Sequence, residues 1–205
     1  MKTIFTSLII ALGMTTCFTS CIWARHKGKE VTETRSVSRF SSISMESVAG
    51  VYFTQADTYS FSITGSEELV KNTTTEVKDG ELRISHTKKL KNTKKGAVIR
   101  ISAPDLERID FDGVGSLHME EKVTLNNLKV NFDGVGSLNV KDLNCHSAEF
   151  NVDGVGSVDV NIHCDNLRAD VDGVGSATFT GSAKKASFHK DGIGKLDTSD
   201  LRIGE

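Results

Sequence analysis

The sequence predicts an all-β fold, a single-stranded, right-handed parallel β-helix whose coils take about 19–21 residues, with an irregular β N-terminal half. Three observations carry this reading. DGVGSL begins at Asp112 and again at Asp133, followed by DGVGSV at Asp153, DGVGSA at Asp172 and DGIGKL at Asp191, so a motif recurs every 19–21 residues. That period is too short for a helical-pair repeat of ~33 residues or more and suits one coil of a β-solenoid. The flanks alternate: Leu128, Val130 and Phe132 precede one motif, Ala148, Phe150 and Val152 the next, and Leu138 and Val140 or Val158 and Val160 follow, with polar residues between. Period-two alternation is the mark of a strand with one face buried. Third, the composition is that of an ordinary globular domain: 205 residues, 38% apolar, 25% charged, 18 Gly and one Pro. A net charge of -2 and only 6% aromatic residues exclude a basic nucleic-acid groove and a long acidic disordered chain.

Residues 1–20 carry Lys2, a short apolar stretch from Ile4 to Met14, and small polar residues before Cys21. About a dozen apolar residues are too few to span a ~30 Å hydrocarbon core, so this reads as a secretory leader. Phe18-Thr19-Ser20-Cys21 resembles a bacterial lipobox, which makes Cys21 the lipidated first residue of the mature chain. Phe18 departs from the usual Leu, and Cys17 is a competing site. An ordinary signal peptide is the other reading. Residues 21–34 are polar and aperiodic and are expected to be a flexible tether, leaving 35–205 as the β domain, with regular coils from about 106.

Upstream, Tyr59, Phe61 and Ile63 alternate, Asp79-Gly80 signals a hairpin, and Pro104 marks a corner into the array. Lys88 to Lys95 holds five Lys in eight residues, read as a solvated loop or, less simply, as a patch for an anionic surface. From residue 21 to Asp105 there are 14 basic and 10 acidic residues, and beyond it 10 and 17, so the mature chain is electrically asymmetric.

Within the array, Val114, Val135, Val155, Val174 and Ile193 are expected to stack as an interior column beside Phe132, Val152 and Val171. The glycines are expected to serve a backbone corner that has no room for a Cβ. Asp112, Asp133, Asp153, Asp172 and Asp191 form a ladder with two readings. Each carboxylate caps its own turn's N–H, or the row is a cation-binding strip that presents oxygen ligands to Ca²⁺. Cys145 and Cys164 fall at nearly equivalent places in adjacent coils, as a disulfide or as two stacked thiols; His146 and His163 complete four nominal zinc ligands only if a corner makes them converge. No metal site and no cofactor are expected.

The DGVGS tandem behind a lipoprotein-type leader resembles the head GIN domain family of auto-transporter adhesins, over about residues 35–205. The resemblance implies secreted, lipid-anchored β-helix proteins of the cell envelope and brings no catalytic residues. Arg25, Lys27 and Lys29 after Cys21 are basic, where surface-displayed lipoproteins of this type are typically acidic, which favours a periplasm-facing anchor and leaves outer display open. The expected function is a non-enzymatic, envelope-anchored binding module whose partners are the membrane, through its anchor, and a polysaccharide or protein. No nucleic-acid partner is expected, and an oligomer is open because a solenoid ends in an unpaired strand edge. The alternatives are a glycan-active, lyase-like β-helix enzyme and a cation-binding or structural envelope protein. Against the enzyme, the acids form a regular ladder, Arg108 and Arg168 are isolated, and no GxSxG, HExxH or P-loop is present.

Overall fold

The computed structural model describes residues 30–87 and 96–204. The leader, Cys21, most of the expected tether and the Lys88 to Lys95 run lie outside the described residues. Within them the chain is all-β apart from one short helix, and no helix is long and apolar enough to cross a membrane.

The strands are β1 (Glu30–Arg35), β2 (Ser42–Gln55), β3 (Ser60–Ser66), β4 (Thr73–Lys78), β5 (Glu81–His86), β6 (Ala97–Ala103), β7 (Arg108–Val152), β8 (Val155–Val171), β9 (Val174–Lys190), β10 (Gly194–Asp197) and β11 (Leu201–Ile203), with α1 (Glu67–Asn72) between β3 and β4. They belong to one sheet whose main path runs β1-β3-β6-β2-β7-β8-β9-β10. From β6 onward along that path the pairing is parallel, and it holds the repeat in register: Val135 lies opposite Val155, Val155 opposite Val174, and Gly175 opposite Gly194. The 20-residue and 19-residue spacings are reconciled at one place. Lys141 and Asp142 face only Asn161, a bulge between Val140 and Leu143 that absorbs the extra residue.

The first half is not purely parallel, because β1 and β6 both pair antiparallel with β3. The stretch 21–34 expected as a tether overlaps a strand. Glu30-Val31-Thr32-Glu33-Thr34 is strand, paired from Glu30 opposite Ser66 to Arg35 opposite Phe61. An edge strand needs no strong alternation, since backbone pairing holds it and its charges keep the edge soluble.

Local chemistry explains the remaining elements. Asp79 and Gly80 both have positive φ, 52° and 78°, as the tight hairpin between β4 and β5 requires. Ser66 caps α1 by accepting from the Leu69 N–H at 3.3 Å, while Leu69 and Val70 bury its apolar face. Arg35 donates to the backbone oxygens of Val70 and Thr73, tying β1 to the end of that helix.

One continuous core runs the length of the stack. Phe111, Phe132, Val152 and Val171 are buried, with Phe111 and Phe132 stacked at 4.8 Å between ring centroids. Phe150 and Phe179 meet edge to face at 5.6 Å. Lys190, opposite Val171, is exposed at the open end of the sheet, where a charge stays solvated.

Candidate interaction surface

The DGVGS segments shape the outer surface. Both glycines are required, for related reasons. A Cβ on Gly134 would overlap the carbonyl oxygen of Gly113 in the repeat before it, and one on Gly136 that of Gly115; Gly136 also has φ 153°. Successive repeats therefore approach at the motif more closely than any side chain permits.

The expected interior valine column is a surface ridge. Val114, Val135, Val155 and Val174 are 49–51% exposed and Ile193 is 79% exposed. The reason is parity: the alternation of the flanking strands continues through the motif. Phe132 and Leu138 are buried on one side, so Val135 falls with Asn131 and Asp133 on the other. Five aliphatic side chains at one-coil intervals make a stripe ~19 Å long.

Two polar columns flank the stripe. On one side stand Asp112, Asp133, Asp153, Asp172 and Asp191, all exposed. None of these carboxylates accepts from its own turn, so they are not turn caps. A donor such a cap would serve is used by the sheet: the Val174 N–H, two residues after Asp172, donates to Gly154 O of the preceding repeat at 2.8 Å, and the Asp172 N–H itself donates to Val152 O at 2.9 Å. Nor, among the described residues, do any three acidic, His or Cys side chains converge on a point suited to a metal ion. The ladder remains a candidate strip of separate carboxylates, each open to a cationic group from outside. On the other side stand Ser116, Ser137, Ser157 and Ser176, with Lys195 in the last coil.

The next two columns outward from the acidic row are largely paired with one another. Asn131 donates to Asp110 and Asn151 donates to Asn131 at 2.8 Å, while Arg108 pairs with Asp110, Lys129 with Glu149, and Arg168 with Asp170. Partial burial works against the charge on Asp110, but hydrogen bonds from Arg108 and Asn131 outweigh it and hold the carboxyl below its ordinary value. Lys129, then Asn151, do the same for Glu149. Asn151, Asp153, Arg168, Asp170, Asp172 and His189 line an open groove of about 520 Å³ here. Arg168, the base a lyase reading would need, is committed to Asp170.

Cys145 and Cys164 lie directly opposite one another in β7 and β8, both half-buried. The neighbouring histidines do not join them. His146 bonds to Asp165 at 2.9 Å and His163 to Ser182 at 3.0 Å, so no four-ligand zinc set forms.

Two features escaped the sequence reading. Glu46-Ser47-Val48-Ala49-Gly50 of β2 lies in register on Asp112-Gly113-Val114-Gly115-Ser116, a degenerate further copy of the motif; aligning ESVAGV with DGVGSL would have found it. Ser47 also meets His86 Nε2 at 2.8 Å, and Thr73 meets His86 Nδ1 at 3.3 Å. This resembles a nucleophile and base, but Ser47 is 5% exposed and no carboxylate orients the ring. Burial pushes the His86 pKa down, and the group reads as a polar plug.

No curated protein matches the sequence. A crystal structure of a putative adhesin from Bacteroides fragilis NCTC 9343 is similar at 26% identity with a TM-score of 0.67, covering 82% of this chain and 96% of that one. One of a putative lipid binding protein from Parabacteroides distasonis ATCC 8503 shares the fold at 24% identity with a TM-score of 0.76, covering 86% and 76%. The sequence profile described as "Putative auto-transporter adhesin, head GIN domain" matches residues 39–205, four-fifths of the chain, and the chain belongs to that family.

Proposed function

We propose that the protein is a non-enzymatic, adhesin-like binding module of the cell envelope, held to a membrane by lipidated Cys21 after removal of residues 1–20. On this reading the tether is reduced to residues 21–29, and the domain is a right-handed parallel β-helix. The parallel, one-repeat pairing supports the helix, and the handedness follows the general rule for parallel crossovers. The observation that carries the function is the exposed aliphatic ridge between its Asp and Ser columns. Leaving apolar area in water forfeits ~25 cal/mol for every Å² that could be buried, and a contiguous stripe of it marks a contact surface. Solenoids bind along such extended faces. Family membership and the similarity to a putative adhesin point the same way. The partner is a polysaccharide or a protein that offers an apolar edge beside cationic groups.

The test coats beads with the full chain and measures retention on polysaccharide and protein surfaces while monitoring polysaccharide breakdown. Retention on one surface class without product is expected, and it should be lost when Val114, Val135, Val155 and Val174 are all changed to Ser. Release of oligosaccharide product would replace this reading with a glycan-active enzyme.

A further inference from the structure

We propose that Cys145 and Cys164 form an intramolecular disulfide that staples two successive coils of the repeat. The two residues are register partners in a parallel pair, with Asn144 opposite His163 on one side and Ser147 opposite Asn166 on the other. Neighbouring parallel strands stand ~4.8 Å apart, inside the ~4.4–6.8 Å between Cα atoms that a disulfide spans. Both side chains pack against the core cluster, and the two thiols shift one another's ionisation. The next rung of this column is Ala183, so the pair is unique in the array.

The surroundings suit exchange. The contact with Cys145 lowers the Cys164 pKa, and that same contact, ahead of burial, pushes Cys145 up, which favours Cys164 as the attacking sulfur. The adjacent Asp165, which would oppose a thiolate, is neutralised by Lys184 at 2.7 Å and bonded to His146. Cys164 thiolate attacks an external disulfide, releasing one thiol and leaving a mixed disulfide. Cys145, on losing its proton, attacks the Cys164 sulfur, closing the Cys145–Cys164 bond and releasing the second thiol. Two protein thiols are oxidised and one external disulfide is reduced to two thiols. The bond closes a ring of about one coil that includes the Val155 rung. It therefore prevents register slippage between β7 and β8 beneath the ridge.

The full chain is equilibrated with oxidised glutathione, the remaining thiols are alkylated, and peptides are mapped without reduction. The expected result is a Cys145 peptide linked to a Cys164 peptide within one chain, with two hydrogen atoms lost. Reduction should lower the melting temperature by roughly 6–12 °C, the shift a ring of this length gives. That reductant effect should vanish in Cys145→Ser. The peptide map decides the matter even if that variant folds poorly. Complete alkylation of both residues after oxidation, or linkage only between chains, would overturn the proposal.

Discussion

Gly156→Val should cost at least ~4 kcal/mol and leave much of the domain unfolded at ambient temperature, a loss in the range reserved for a specific structural conflict. Gly156 has φ 157°, and a Cβ there would overlap the carbonyl oxygen of Gly136 in the coil before it. The obstructing atom is backbone, so no rotamer change relieves it; β7 and β8 must separate there, breaking pairs on both sides of the motif. A β-branched residue adds its own restriction of χ1. Gly80 supplies the control. It too has positive φ, 78°, but nothing lies within 4 Å of its virtual Cβ, so Gly80→Ala should cost only ~1 kcal/mol. Urea titration reads both values, and a Gly156→Val loss below ~1 kcal/mol would mean the coils do not approach as described.

Phe132→Ala should cost ~3–5 kcal/mol. The ring is 2% exposed and stacked on Phe111 with 15° between the planes, so truncation removes apolar burial and leaves a void among Phe111, Val152 and the glycine backbone. Val135→Ala, three positions along the same strand, should cost less than ~1 kcal/mol because Val135 is 51% exposed. The two numbers from one denaturation series test the parity of the strand directly. Equal losses would place Val135 inside.

That contrast marks where the amino-acid pattern was legible and where it was not. Repeat period, strand flanks, the Phe132, Val152 and Val171 column and the equivalent register positions of Cys145 and Cys164 could all be read, because each follows from counting residues against a fixed period. Apolar identity alone places the valines inside, whereas alternation places them outside. Counting from Phe132 through Gly134 and Gly136 to Leu138 puts Val135 outside. Glycine hides this, since positions with no side chain give no apolar signal to continue the pattern. The Asp residues were misread for a related reason. An Asp-Gly pair signals a local turn, yet here the donors are taken by a neighbouring repeat about one period away, a partner no local pattern displays. The antiparallel β1 and β3 were invisible as a pair because β1 is polar throughout except Val31, and the degenerate ESVAG copy was masked by Ser47 and Ala49 in the glycine places.

The central claim is that the repeat turns its aliphatic residues outward as a ridge. Its most direct measurement is thiol labelling of single-cysteine chains in which the four native cysteines are replaced by serine. Val155→Cys should react in the native protein at nearly the rate seen in denaturant, whereas Val158→Cys, at a position only 3% exposed, should react only on unfolding. Protection of Val155→Cys, or equal reactivity at both positions, would contradict the outward ridge and remove the basis for a binding surface there.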